Sequence, residues 1–407
     1  MTELSDTESP PNTYDVEVSV VMPCLNEADT IETCIRKAQQ AFAAHGINGE
    51  VVIGDNGSDD GSQKLAIDLG ARVVDVPQRG YGSALMGGIA AARGEFVIMG
   101  DADDSYEFLE IPKFVDALRA GSDLVQGCRL PSGGGQILPG AMPFLHRWLG
   151  NPMLSRMAAV FFRVPIHDIY CGLRGFRRDF YESLNQRCTG MEFATEMIVK
   201  STLVEGRISE VPITLHPDGR KAHPPHLRTF RDGWRTVRFF MLYSPRWTFF
   251  LPGLLMILLG VLGYAVALPG VTIGGATFDA HTLLFASLSA IVGFQSVIFA
   301  VLAQVYGTDS GMLPVHRGLT QWINVATLER MLIGAAIVGL MGTGLLLCAV
   351  LQWYRAEFGR LDYAVTMRWV IPGVTLTALA VQTALASLFL GILRMHHQPS
   401  SSMGESQ

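Results

Sequence analysis

A short apolar run ends in carboxylates at Phe96-Val97-Ile98-Met99-Gly100-Asp101-Ala102-Asp103-Asp104-Ser105. Asp101 and Asp103 stand two apart on a turning backbone, so their oxygens can converge on one point. Hard divalent cations such as Mg²⁺ or Mn²⁺ take oxygen ligands. Mg²⁺ commonly uses one or two carboxylates and completes its shell with phosphate oxygens and water. The chemistry open to this turn is therefore metal–diphosphate binding. The same residues also read as an acidic cap for the next helix, with Asp103, Asp104 or Ser105 at the N-cap.

The elements that must position these groups follow from the apolar periodicity. Strands are expected over 17–22, 50–54, 71–76, 95–99 and 123–128, with helices over 31–44, 62–69 and about 82–93. Strands alternating with helices at this spacing predict βαβ units and a mostly parallel, Rossmann-like sheet. Ligands of such sheets sit beyond the carboxyl ends of the strands. Three further loops share that rim: Pro23 to Glu27, Asp55 to Ser62, and Arg79 to Gly82. Asp55 can accept hydrogen bonds from a base or ribose. Gly80 and Gly82 allow close backbone approach to a nucleotide, and Arg79 can offset its charge. Each loop alone reads as an ordinary turn. Together, beside Asp101 and Asp103, they favour a nucleotide site.

In order and spacing, Val20-Val21-Met22-Pro23-Cys24-Leu25-Asn26-Glu27, Asp55-Asn56-Gly57-Ser58-Asp59-Asp60-Gly61-Ser62, Arg79-Gly80-Tyr81-Gly82-Ser83-Ala84 and Met99-Gly100-Asp101-Ala102-Asp103 resemble glycosyltransferase family 2, which has the GT-A fold. The nearest likeness is to its polyprenyl-phosphate branch, which includes dolichyl-phosphate mannose and glucose synthases. The resemblance covers roughly residues 16–240. It implies a nucleotide-sugar donor held by Pro23, Leu25, Glu27 and Asp55, with Asp101, Ala102, Asp103 and Ser105 around the metal and diphosphate. Leu25 stands where many members have an aromatic residue, and Asn56 replaces a common Asp, so the base stays open between UDP and GDP. The resemblance also implies that Arg129, Arg147 and Asn151 hold the phosphate of a lipid acceptor. Asp168-Ile169-Tyr170-Cys171-Gly172-Leu173-Arg174-Gly175-Phe176 is similar to the family's Asp-x-x-x-Gly-Phe-Arg segment, which shapes the sugar and acceptor pocket and brings in Arg174.

Two further assignments rest on residue chemistry. Glu192 and Glu196 flank Phe193 at helical spacing, and Glu192 is the one expected near the donor sugar, against a solvated-face alternative. Arg220-Lys221-Ala222-His223-Pro224-Pro225-His226-Leu227-Arg228 is a basic, proline-stiffened loop. Many relatives have Gly-Glu-Ser-Lys nearby and this chain does not. Arg220 and Lys221 are expected on the donor diphosphate, with Arg228 third. The alternative is a positive patch for anionic lipid headgroups.

Composition divides the 407 residues in two: mean hydropathy is +0.29 and the charged fraction 17%, but the apolar weight lies late. Residues 1–15 read as a disordered tail without a secretory signal, 16–228 as the catalytic domain and 229–246 as a juxtamembrane amphipathic helix. The stretch 142–162 mixes Trp148, Phe144 and Phe161 with Arg147 and Arg156, which reads either as a helix at a membrane interface or as a core helix with an exposed basic face. Four segments, 247–268, 282–306, 331–353 and 369–393, are each long enough to span a bilayer, leaving 394–407 as a tail. The arginines before residue 247 place both termini in the cytoplasm by the positive-inside rule, although Arg355, Arg360 and Arg368 fall on the opposite side. The spans carry few charges, so ion transport is not expected. Six scattered cysteines without a Cys-x-x-Cys pair argue against structural zinc or a disulfide framework and fit a reducing compartment.

The expected activity is inverting transfer of one sugar from a nucleotide-diphospho-sugar to a polyprenyl phosphate at the cytoplasmic membrane face, with Mg²⁺ or Mn²⁺. No nucleic-acid partner is expected, and a homo-oligomer is compatible with the sequence. A phosphate monoester is already nucleophilic at neutral pH, so no general base is assigned. Two other classes compete. A processive polysaccharide synthase would need Gln-x-x-Arg-Trp near the membrane, and Tyr243 stands where its Gln should be before Arg246-Trp247. A non-catalytic sugar-lipid binding or translocation protein would not need Asp101 and Asp103 intact.

Overall fold

A computed structural model of the chain describes residues 14–144, 146–220, 229–313 and 327–395. It divides into two compact units, Met1–Phe240 and Met241–Gln407.

The first unit runs β1 (Val16–Cys24), α1 (Ile31–His45), β2 (Gly49–Asp55), α2 (Ser62–Asp68), β3 (Arg72–Asp75), α3 (Tyr81–Ala91), β4 (Gly94–Met99), α4 (Ile111–Arg119) and β5 (Leu124–Cys128). It continues through β6 (Gln136–Ile137), α5 (Asn151–Phe162), β7 (Arg174–Arg177), α6 (Arg178–Leu184), α7 (Glu192–Leu203), β8 (Ile208–Pro212) and β9 (Thr214–Leu215). Seven strands form one sheet in the order β3-β2-β1-β4-β7-β5-β8. All neighbours are parallel except β7, which runs antiparallel between β4 and β5. The chain winds outward from β1 through β2 to β3, then returns to place β4 on the other side of β1. That reversal opens a crevice at the carboxyl ends of β1 and β4, where the loops 23–30 and 100–106 emerge.

The apolar pattern explains the layers. α1 turns Ile31, Cys34, Ile35, Ala38, Ala41 and Phe42 into the core and stops at Gly46, whose left-handed φ of 63° lets its N–H reach the Phe42 carbonyl. β1 and β4 are buried on both faces, so they read as continuous apolar runs. α3 lies close on the sheet: a Cβ at Gly54 would stand 2.1 Å from the Ala84 carbonyl oxygen. Any side chain there would push α3, and with it the loop 79–81, off the sheet.

Two expectations change here. The stretch 142–162 is not one helix: a π-helical turn at His146–Gly150 precedes α5. And Arg174–Arg177, read only as a motif, is a strand.

α8 (Thr229–Tyr243) spans the division between the units. The second unit contains α9 (Leu251–Ala267), α10 (Ala280–Asp309), α11 (Leu328–Arg355) and α12 (Tyr363–Met395). Among the described residues, four helices are long and apolar enough to cross a membrane: Arg246–Ala267, Ala280–Asp309, Leu328–Arg355 and Tyr363–Leu393. Small residues let them approach. A Cβ on Gly253 would meet the Gly293 carbonyl at 2.7 Å, so α9 and α10 touch backbone to backbone. The Tyr264 hydroxyl bonds Ser287 Oγ at 2.6 Å and Thr375 Oγ1 at 2.8 Å, clamping α9, α10 and α12 together. Arg368, one of the arginines that cut against the charge rule, pairs with Asp279 at 3.4 Å. Gln304 donates to Thr308 on its own helix at 3.4 Å.

Candidate active site

The loop after β4 sorts its three carboxylates into three roles. Asp101 is half-buried; its Oδ1 has neither solvent nor a hydrogen-bond partner. Burial, then the charge of Asp103, pushes its carboxyl up to about 6, against a lowering hydrogen bond from the Tyr81 hydroxyl. Asp103 Oδ1 accepts from Ser105 N at 3.0 Å and Ser105 Oγ at 2.6 Å, which fixes its direction. Its Oδ2 meets Arg220 at 2.9 Å. Asp104 adopts φ 61° and turns away to Lys37 of α1, 2.9 Å distant. Ala102 is buried and its carbonyl accepts the Thr30 hydroxyl at 2.6 Å. The capping alternative for Asp103 to Ser105 does not hold, because Glu107 caps the following turn through Leu109 N.

The first two loops are stitched together by short polar side chains. Ser58 Oγ accepts from Asn26 N at 2.9 Å, Ser62 Oγ from Glu27 N at 2.9 Å, and Asp60 from Ala28 N at 2.9 Å. Asp55, 0% exposed at the end of β2, is turned into its own loop. It accepts from Gly57 N, Ser58 N, Ser58 Oγ and Gln63 Nε2. Burial raises its carboxyl, but these bonds outweigh that and hold it below the usual range. Asn56 ties in the third loop: its Nδ2 donates to the Val76 and Gln78 carbonyls at 3.0 Å each, and its Oδ1 accepts from Gly80 N at 2.9 Å. A carboxylate could make only the last of these, so the departure at Asn56 has a structural use. Pro23, Leu25 and Gly80 are half-buried along this rim, and Arg79 is exposed beside it.

Arg220 closes one side. It meets Glu27 at 3.1 Å, Asp103 at 2.9 Å and Asp218 at 2.8 Å, with only 9% of its side chain exposed. The chain reaches it by laying the segment after β9 over the β4 loop: His216 N donates to the Ser105 carbonyl and Gly219 N to the Asp103 carbonyl, each at 2.9 Å. Lys221 and Arg228 lie outside the described residues.

Arg129 is near enough to Asp101 to favour its charged form. Its Nε and Nη2 form a fork on Asp168 at 2.7 and 2.9 Å, both residues buried. Its charge is felt by Asp101 and by His146, whose imidazole is held low by burial and then by Arg129. Arg147 lies 5.6 Å over the Trp148 ring. Asn151 opens α5 and donates to Met142 Sδ at 3.5 Å. Phe144 and Trp148 are 79% and 65% exposed. Arg174 is fully buried and spends its Nη atoms on the Ala194 and Cys171 carbonyls, so it supports the site from beneath. Glu192, on the first turn of α7, has a buried Oε2 without a hydrogen-bond partner.

The pair Asp101 and Asp103 fits a divalent cation. One buried carboxylate oxygen has no donor, and hard oxygen ligands stand two residues apart. Among the described residues no three His, Cys, Asp or Glu side chains form a complete cage, so further ligands would have to come with a substrate or water. Sequence reasoning did not assign roles to Tyr81, Asp168 or Asp218. Asp168 and Tyr81 each lie in a motif already singled out, Asp168 opening the one that contains Arg174 and Tyr81 standing between Gly80 and Gly82; Asp218 carried no signal.

Comparison with known proteins identifies the family. Residues 19–184 match the pattern "Glycosyl transferase family 2", and residues 301–394 match "Glycosyltransferase family 2 C-terminal transmembrane region". The low-salt glycan biosynthesis hexosyltransferase Agl6 of Haloferax volcanii is 36% identical over 385 residues, covering 92% of this chain and 89% of that protein. A dolichyl-phosphate hexose transferase of the same organism is 31% identical over 222 residues, 54% of this chain and 90% of that protein. Among solved structures, glucosyl-3-phosphoglycerate synthase from Mycobacterium tuberculosis with Mn²⁺, UDP-glucose and phosphoglyceric acid is 22% identical over 56% of this chain and 78% of that one, with a TM-score of 0.41. The chain belongs to glycosyltransferase family 2, in the branch that holds the dolichyl-phosphate hexose transferases: a sugar-transferring membrane protein with a GT-A unit followed by apolar transmembrane helices.

Proposed function

We propose that the protein transfers a single sugar, with inversion, from a UDP- or GDP-linked hexose to the phosphate of a polyprenyl phosphate at the cytoplasmic membrane face. The product is a lipid-linked sugar for later glycan assembly. The observation that carries the reading is Asp101: a carboxylate oxygen without a partner, influenced by the charges of Asp103, Arg220 and Arg129. The relative named for dolichyl-phosphate hexose transfer supports the choice of acceptor.

In this reading the rim formed by Pro23, Leu25, Glu27 and Gly80 receives the nucleotide, with Arg79 at its edge. Asp55 shapes that rim by holding its loop. Arg220 is assigned to the donor diphosphate, and Lys221, which lies outside the described residues, is assigned to it by residue type alone. Mg²⁺ or Mn²⁺ held by Asp101 and Asp103, with Ser105 fixing Asp103, would supply charge stabilisation on the leaving diphosphate. Arg129 is kept in one orientation by Asp168 and presents its remaining N–H groups to the lipid phosphate, with Arg147 and Asn151 on the adjoining segment. The phosphate is itself the nucleophile, so the chain contributes position rather than a base. Glu192 stands at the donor sugar, and Arg228 is a further diphosphate ligand.

The basic α8, with Arg231, Arg235 and Arg238, supports a cytoplasmic catalytic unit. The pairing of Arg368 with Asp279 engages one of the opposing arginines within the protein.

The test is transfer of label from radiolabelled UDP-glucose or GDP-mannose to undecaprenyl phosphate with Mg²⁺ or Mn²⁺. Metal-dependent label in an organic-extractable lipid is expected, and product NMR should report inversion. Retention, or a polymeric product, would refute the reading.

A further inference from the structure

Gly172 stands 71 positions after Asp101 in sequence, yet it is a wall of the Asp101 site. A Cβ built on Gly172 would lie 2.8 Å from Asp101 Oδ2 and 3.1 Å from the Tyr106 ring and hydroxyl. That is shorter than a carbon–oxygen contact of about 3.3 Å, so a side chain here and the present direction of Asp101 exclude each other. Gly172 is not among the residues with positive φ, so the backbone does not demand glycine. Space does.

Neither side of this contact can easily retreat. Gly172 N donates to the buried Tyr106 hydroxyl at 2.7 Å. The Cys171 carbonyl accepts from Arg174 Nη2 at 2.8 Å and Gln126 Nε2 at 2.9 Å. Across the site, the Tyr81 hydroxyl lies near enough to the Asp101 carboxyl that each shifts the other's proton affinity. Tyr81 is the first residue of α3, and the start of that helix is pinned by Gly80 N on Asn56 and Ser83 N on the Thr189 carbonyl at 3.1 Å. Asp101 Oδ2 therefore occupies space that is open only because Gly172 has no Cβ, with the Tyr81 phenol among the same carboxyl's other neighbours. What remains is Oδ1, buried and without a donor.

We propose that Gly172 and Tyr81 are positioning residues that aim Asp101 Oδ1 at the divalent cation. This rests on the reading of Asp101 as a metal ligand. Neither residue touches substrate in this account; each acts through Asp101.

The test uses the full-length protein in detergent. Mn²⁺ affinity is measured by electron paramagnetic resonance, with and without UDP, and UDP affinity is measured separately in EDTA. Gly172→Ala is expected to weaken Mn²⁺ binding at least about tenfold, and Tyr81→Phe about three- to tenfold, in line with the loss of groups that orient metal ligands. UDP affinity in EDTA should stay at the wild-type value in both, a split that general disruption of the fold would not give. Tyr81→Phe removes one hydroxyl and keeps the ring, so it decides the matter should Gly172→Ala not fold. Wild-type Mn²⁺ affinity in a folded Tyr81→Phe and Gly172→Ala would overturn the proposal while leaving the metal reading in place. No Mn²⁺ binding by the wild type would overturn both.

Discussion

Asp55 and Asp101 occupy the same place in the architecture. Each follows or ends a parallel strand at the rim of the sheet, each carboxylate is largely withdrawn from water, and each opens a polar loop. Their surroundings are opposite. Asp55 receives two backbone amides, a serine hydroxyl and a glutamine amide, and sits below the ordinary carboxylate range despite its burial. Asp101 has one phenolic neighbour, a like charge nearby and an oxygen with no donor, and is pushed up. The difference separates structure from chemistry. A buried carboxylate surrounded by its own loop's donors has been used by the fold, and one left short of donors is held for something that arrives.

That contrast can be broken by mutation, beginning with the largest effect. Asp103→Asn should lower sugar transfer roughly a thousandfold in a lipid-extraction assay, since it weakens the hold on the cation that would offset charge on the departing diphosphate, and should cost less stability than Asp55→Ala because Arg220 keeps Glu27 and Asp218. Asp55→Ala should act chiefly on stability. Four donors lose their acceptor, and chemical denaturation should show about 2–4 kcal/mol lost, with Mn²⁺ binding retained in the folded fraction.

The third test is pH. Asp101 titrates near 6, so proton and cation compete for it, and Mn²⁺ affinity should fall about tenfold per pH unit below that value. Asp55 behaves with the opposite sign. Its folded carboxyl lies below the unfolded one, so its stabilisation is present above the ordinary carboxylate value and is lost as pH falls through the lower, folded one. Stability should therefore hold in the range where metal binding is already failing. The smallest effect is at Asn56→Asp, which removes two donors to the Val76 and Gln78 carbonyls. A denaturant titration should register about 1–2 kcal/mol.

The rim itself was legible in sequence because apolar runs ending in Asp, Gly and Ser announce strand ends. Asp101, Asp103, Arg129 and Arg220 could be chosen by residue type and motif. The direction of each side chain could not. Asp55 and Asp101 look alike in sequence, and what distinguishes them is donors at Gly57, Ser58 and Gln63 on one side and a shortage on the other. Asp104 was hidden for the same reason, because Lys37 meets it from 67 positions away. β7 was missed because Arg174-Gly175-Phe176-Arg177 has neither alternation nor an apolar run; it becomes a strand only because β4 and β5 flank it. Gly172 and Tyr81 could not be seen, since their significance is a distance across the fold. In the membrane unit, length and apolarity gave four spans, but the pairing of Arg368 with Asp279 needed the packed helices.

The most direct test of the central claim is a paired measurement on Asp101→Asn: label transferred to polyprenyl phosphate, and melting temperature on the same preparation. The account predicts that transfer falls at least about a thousandfold while melting is unchanged or higher, because a donor-poor buried charge has been removed. Transfer at wild-type rates, or a loss of stability comparable to that of Asp55→Ala, would mean that Asp101 is one more structural carboxylate and would contradict it.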